Sequence, residues 1–340
     1  MKKHYILFAG IVVALVVGVL LILNTRLIKE RKEADIPVKI AGVAENQEEI
    51  EEDIISAKDE MIILDDHISA YENNIDSTYS EESDLADAEE NTPQILQFVD
   101  VFGEEYETEI DSRVPATEYD VNNYVHEGDR LSYEDDKNYS RLGVDVSHHQ
   151  GYIDWKKVKA SGYDFAFVRI GYRGYGKNGS LNLDKRFYEN IEGAHEAGID
   201  VGVYFFSQAI NAEEAREEAQ FVIEHLKDYK LELPIVYDPE SILDDEARTD
   251  NVSGEQFTEN TLLFCSLISE AGYKPMIYSN MLWEAFQFDM SKLVDYPFWY
   301  ADYELKPQTP YKYKYWQYTN EGYVDGISGR TDLDIEIIER

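Results

Sequence analysis

Asp238 and Glu240 stand one residue apart in the stretch LPIVYDPES, 233–241, and are the residues most able to do chemistry together in this chain. An apolar run leads directly into them, which places them at the carboxyl end of a strand. Residues i and i+2 of a strand share a face, so both carboxyls can point the same way with their Cα atoms roughly 6.5–7 Å apart. Paired carboxyls can divide labour: one holds a proton as general acid while the other stays ionised and stabilises positive charge. That spacing allows carboxyl separations of either about 5 or about 9 Å, so it leaves retention and inversion at a sugar carbon equally open. Pro239 between them lacks an N–H and suits a strand end better than a central rung. The competing reading is a solvated turn, and the surrounding elements have to decide.

From Arg141 onward, short apolar runs alternate with helical stretches, the pattern of βα units and a largely parallel sheet. Seven strands are expected, at 142–147, 164–170, 200–206, 234–238, 275–279, 297–301 and 314–318. Asp154, Asp184 and Asn211 can cap helices, and Gly198 and Gly272 can stop them. Strands after position 290 follow one another without long helices. The fold class is therefore α/β, an irregular TIM-like barrel that starts as βα repeats and closes with plain strands, because about 200 residues is short for a full eightfold barrel of about 250. Such barrels work at the carboxyl ends of their strands. Here those ends carry Asp145, Tyr204 with Phe206, Asp238 with Glu240, Tyr278, Trp299 with Asp302, and Trp316 with Tyr318. Carboxylates ringed by aromatics suit a carbohydrate: rings stack on sugar faces while acids transfer protons.

The rest of the chain reads differently. After the flank 1–4, residues 5–23, YILFAGIVVALVVGVLLIL, form an uncharged apolar run that as a helix spans about 28 Å, enough to cross a bilayer core. It is longer than a usual signal core and lacks a clear cleavage site, so an uncleaved transmembrane anchor is expected. Residues 26–140 hold 34 acidic and 9 basic residues. Within them, 24–94 reads as an acidic stalk, mostly disordered or partly helical. Aromatic and β-branched residues return over 95–140, a short β-rich lead-in to the barrel at 141–340. The net charge of −38 disfavours nucleic acid as a partner. Cys265 is the single cysteine, so no intramolecular disulfide forms, and its apolar neighbours suit burial rather than catalysis.

Several stretches from 142 to the C-terminus, in order, resemble glycoside hydrolase family 25, the lysozyme-like N-acetylmuramidases: GVDVSHHQGYIDWKKVKASGYDFAFVRIGY, AGIDVGVYFFSQA, YDPE, AGYKPMIYSN, PFWYADY, YWQYT and GISGRTDLD. The resemblance implies an irregular barrel of five βα units followed by three plain strands, and hydrolysis of the β-1,4 bond between N-acetylmuramic acid and N-acetylglucosamine in peptidoglycan, with no metal or organic cofactor. It implies Glu240 as general acid and Asp238 as the partner that stabilises the transition state or orients the 2-acetamido group. Asp145 and Asp332 complete the acids. Tyr204, Tyr278, Trp299 and Trp316 match pocket aromatics, while Pro239 departs from the tryptophan or aliphatic residue often found there. Like-charge repulsion and partial desolvation would keep a proton on Glu240. Peptidoglycan glycan strands are thus the expected partner, the catalytic domain is expected to be monomeric, and the anchor makes the protein a single-pass cell-membrane protein. Lys2 and Lys3 before the span and Arg26, Lys29, Arg31 and Lys32 after it would put the barrel in the cytoplasm; wall chemistry requires it outside, as an anchored or a cleaved and secreted form.

Plainer readings compete. His148 and His149 are expected to point opposite ways from a strand end, one bonded and one on the rim, without metal. RGYGKNG, 173–179, is read as a mobile substrate loop rather than a phosphate cradle. Asp184 is either a helix cap or a rim acid. The whole barrel could be a non-catalytic glycan-binding module, or the stalk could serve adhesion; both would leave wall glycan uncut.

Overall fold

The computed structural model describes residues 93–242 and 246–340. The expected anchor, and the stalk up to residue 92, lie outside the described residues. Among the described residues no helix is long and apolar enough to cross a membrane.

Two hairpins come first, β1 (Ile95–Val99) with β2 (Glu105–Glu109) and β3 (Tyr124–Glu127) with β4 (Arg130–Tyr133). The barrel strands follow: β5 (Asn138–Val146), β6 (Tyr163–Arg173), β8 (Asp200–Ser207), β9 (Ile235–Pro239), β10 (Pro275–Asn280), β11 (Phe298–Ala301), β12 (Tyr315–Gly322) and β13 (Thr331–Glu339), with the short β7 (Leu181–Leu183) folded back on β6. They pair in the order β5-β13-β12-β11-β10-β9-β8-β6, and β6 returns to β5 to close the ring. All neighbours are parallel except β13, which is antiparallel to both of its own. Helices α1 (Trp155–Ala160), α2 (Phe187–Ala197), α3 (Ala212–Leu226) and α4 (Gly254–Glu270), then the pair α5 (Met281–Phe286) and α6 (Met290–Leu293), follow the first five strands; β11, β12 and β13 have none. The expected five-plus-three order holds.

Local chemistry explains these boundaries. Asp154 and Asn211 cap α1 and α3 as expected, each accepting a backbone N–H from the first turn, and α2 ends at Gly198 in the left-handed region. Arg186 rather than Asp184 occupies the cap position of α2, but Asp184 still braces the helix start: its Oδ1 accepts from the Arg186 backbone N–H at 2.9 Å, while Oδ2 turns to His148 and Arg169. β13 was absent from the expected strands. Its sequence TDLDIEIIE alternates acids with aliphatics, and Leu333, Ile335 and Ile337 pack into the main core outside the barrel while Asp332, Asp334 and Glu336 take the other face.

The same alternation fills the barrel. Phe165, Phe167, Val236, Met276, Trp299 and Tyr315 point inward and form one buried cluster. Two glycines make room: a Cβ on Gly143 would stand 2.2 Å from the Phe165 ring, and one on Gly202 would stand 2.5 Å from that of Phe167. Below them Arg141 joins Glu336 at 2.6 Å and Asp200 at 2.5 Å. Cys265 is fully buried on α4, and burial pushes its thiol up, as expected of an apolar packing residue.

Strands without helices leave an outer face bare. The lead-in hairpins cover it: Tyr300, Tyr313, Trp316 and Tyr318 share a core with Tyr124, Leu131 and Tyr133. Tyr124 meets Trp316 edge-on, with ring centroids 5.0 Å apart.

Candidate active site

Asp238 and Glu240 emerge at the carboxyl end of β9, where Pro239 is the last strand residue. Asp238 is buried inside the mouth, and Glu240 is partly exposed. Their carboxyls are hydrogen-bonded to each other. Burial is the largest cause raising both; the charge of Glu240 and the shared bond push Asp238 further up, whereas that bond and the Arg169 charge draw Glu240 back. Both carboxyls are therefore held above the usual carboxylate range, chiefly by burial. The backbone of Glu240 is fixed by Gln208, whose Nε2 donates to the Glu240 carbonyl at 2.7 Å and whose Oε1 accepts from Thr249 at 2.9 Å.

A second group of acids enters from β5 and β13. Asp145 and Asp332 face each other across one antiparallel rung. Asp334, fully buried one step deeper, accepts from Trp299 Nε1 at 2.8 Å and contacts the Asp145 carboxyl. Burial, then the charges of Asp332 and Asp334, raise Asp145 well above the usual range. Gln317 Nε2 donates to Asp145 Oδ2 at 2.8 Å, and its Oε1 accepts from Tyr278 at 3.2 Å and Tyr303 at 3.0 Å.

Arg169 on β6, a cation whose field reaches Asp238 and Glu240, is anchored on the rim. Its Nε donates to Asp184 Oδ2 at 3.0 Å and its Nη2 to His148 Nδ1 at 2.7 Å, while Asp184 Oδ2 also accepts from the His148 backbone at 3.1 Å. Burial alone would raise Asp184, but the His148 imidazole, whose Nδ1 lies 3.1 Å from Oδ2, and the Arg169 charge outweigh it and bring the carboxyl down to about 2. A depressed carboxyl adds stability above its unfolded value of about 3.9 that is lost as pH falls. Asp184→Asn is thus expected to cost at least about 2 kcal/mol in urea melts at neutral pH, shrinking as pH approaches 2. A pH-independent difference would make Asp184 a packing residue only.

The structure sorts the expected residues. Asp145, Asp238, Glu240 and Asp332 share the mouth, with Tyr204 and Tyr278 on the inward face and Phe206 half-buried at the rim above Tyr204. Trp299 points inward but is 1% exposed, stacked on Phe167 at 4.7 Å, so it floors the site and offers no open face to a sugar. Trp316 and Tyr318 are corrections: Gln317 between them points in, so they point out against the lead-in. Asp302 is another: its carboxyl accepts from the backbones of Glu304 and Gln308 and from Tyr300, which shapes a loop and leaves the acid outside the carboxylate group. His148 and His149 lie on a 3-10 turn with ring centroids 4.0 Å apart, side by side rather than opposed. The 173–179 loop is pinned, since Arg173 binds Glu218 at 2.7 Å and the Gly179 carbonyl at 2.8 Å. Arg169 and Gln317 were missed although each breaks an apolar alternation at an inward position; Asp334 lies on the acidic face of an unexpected strand, and Tyr303, in a loop, carried no periodic signal.

The family model for glycosyl hydrolases family 25 matches residues 144–327, more than half of the chain. The chain belongs to glycosyl hydrolase family 25. Among its relatives, the autolytic lysozyme of Clostridium acetobutylicum is 26% identical over 193 residues, covering 56% of this chain and 54% of that protein. Lysozyme M1 of Streptomyces globisporus is 29% identical over 208 residues, covering 56% and 65%. The chain thus spans little more than half the length of the first relative. The modular autolysin LytC from Streptococcus pneumoniae superimposes with a TM-score of 0.52 at 25% identity, covering 70% of this chain and 56% of that one, and that autolysin has also been solved with a synthetic peptidoglycan ligand. The family 25 domain is a glycoside hydrolase domain, and its family match begins at residue 144, after the two lead-in hairpins.

Proposed function

We propose that this family 25 barrel is a muramidase, cleaving the β-1,4 bond between N-acetylmuramic acid and N-acetylglucosamine in peptidoglycan. The observation that carries this reading is the hydrogen-bonded Asp238–Glu240 pair at the barrel mouth, facing Asp145 and Asp332. Glu240, its carboxyl raised by burial, passes its proton to the glycosidic oxygen as the C1–O bond breaks, and positive charge grows at the muramic anomeric carbon. Asp238 stabilises that charge or orients the 2-acetamido oxygen for attack on C1. Water then adds to C1 and returns its proton to Glu240, leaving a muramic reducing end. Gln317, held by Tyr278 and Tyr303, fixes Asp145 beneath the sugar.

The name of the first relative, an autolytic lysozyme, supports wall glycan as substrate. Purified wall incubated with the protein is expected to gain muramic reducing ends; wall that binds the protein and gains none would make the barrel a binding module. We place the barrel outside the cell, tethered by residues 5–23 as a single-pass anchor. Protease added to intact cells should then release it.

A further inference from the structure

The loop between β11 and β12 carries Tyr303, whose hydroxyl reaches Gln317 over the acids. This loop is held from the lead-in side along most of its length. The Leu305 carbonyl lies 2.9 Å from His126 Nε2, and Lys306 Nζ donates to Asn122 at 2.8 Å. Gln308 makes a reciprocal pair with Val99, accepting its N–H at 2.8 Å and donating to its carbonyl at 2.9 Å, as a neighbouring strand would. Thr117 N donates to the Pro310 carbonyl at 2.9 Å, the Tyr311 hydroxyl accepts from Asp111 N at 2.9 Å, and Lys312 N donates to the Pro115 carbonyl at 3.0 Å. Gln308 also closes the turn that contains Tyr303: its backbone N–H donates to Asp302 Oδ2 at 2.9 Å, while Asp302 Oδ1 accepts from Glu304 N at 3.0 Å.

Resting on the muramidase reading, we propose that the lead-in, residues 95–133, is a working part of the active site, and that Gln308 is a positioning residue through which it sets Tyr303 over the Gln317–Asp145 bond. The family match starts after this segment, yet the segment supplies the far partner of the bonds at Leu305, Lys306, Gln308 and Tyr311, while the barrel's own Gln317, Tyr300, Trp316 and Glu284 hold Asp302, Tyr303 and Thr309. A side chain that exchanges both its amide groups with one backbone residue specifies position along and across the strand at once.

The test is a double-mutant cycle in the full chain, with Gln308→Ala, Tyr303→Phe and the pair, read as kcat/KM on wall glycan. Each single change is expected to cost about tenfold, and the pair little more than either, because both act through one hydroxyl. A loss of about a hundredfold in the pair, the product of independent effects, overturns the proposal. Amide hydrogen exchange supplies a readout that needs no turnover: Gln308→Ala should speed exchange at Tyr303 and Glu304 and leave β9 and β13 unchanged. Unchanged exchange at Tyr303 also overturns it. His126→Ala, which cuts a bond on the exposed side of the loop, should reproduce the same local change if Gln308→Ala disturbs folding. A wild-type chain that cuts no wall would remove the muramidase reading, and exchange would still decide the brace.

Discussion

Glu240→Gln is expected to lower cleavage of wall glycan by about 10²–10⁴-fold, the usual contribution of a positioned proton donor, while leaving the barrel folded. Glutamine keeps the shape of glutamic acid and the backbone bond from Gln208, so packing at the end of β9 is unchanged. It removes the group that gives a proton to the leaving oxygen. Asp238 also loses the neighbouring charge that, after burial, does most to raise it, so its carboxyl falls in the variant. Circular dichroism and a muramic reducing-end assay on the same sample decide the matter. A folded glutamine variant that turns over within about tenfold of the parent would sink the assignment.

Cutting the chain at residue 141 is expected to be equally damaging, through stability rather than chemistry. Tyr300, Tyr313, Trp316 and Tyr318 would lose their cover. At about 1.5–3 kcal/mol for each large side chain returned to water, four rings amount to about 6–12 kcal/mol, comparable to the whole stability of an ordinary domain at about 5–15 kcal/mol. A 141–340 fragment should therefore aggregate or bind hydrophobic dyes, whereas a 93–340 fragment should melt cooperatively. Trp316→Ala in the full chain isolates one ring, with an expected cost of about 3–5 kcal/mol in urea melts. Similar melting of the two fragments would show that the hairpins merely lie on the barrel.

The βα rhythm, the helix ends and the placing of Asp145, Asp238 and Glu240 at strand ends were legible because each depends on local period or on a capping residue, whereas Asp332 came only from the family resemblance. What escaped depended on parity and on partners distant in sequence. In KYWQY both faces of the strand are aromatic, so the pattern alone could not tell which rings look inward, and the polar Gln317 was the clue. In TDLDIEIIE the inward face is the charged one, the reverse of the usual amphipathic strand, which hid β13. Asp184 passed for a cap because its partners, His148 and Arg169, are 36 and 15 residues away. Tyr303 depends on a loop whose shape is imposed by residues about 180 to 210 positions earlier.

The rings seated against Gly143 and Gly202 have a further consequence for how a polymer meets this protein. With its interior plugged by Phe165, Phe167, Trp299 and Tyr315, the barrel has one entrance, and nothing can thread through it. Any chain it engages is met from outside, at the end of the barrel where the strand-end acids stand.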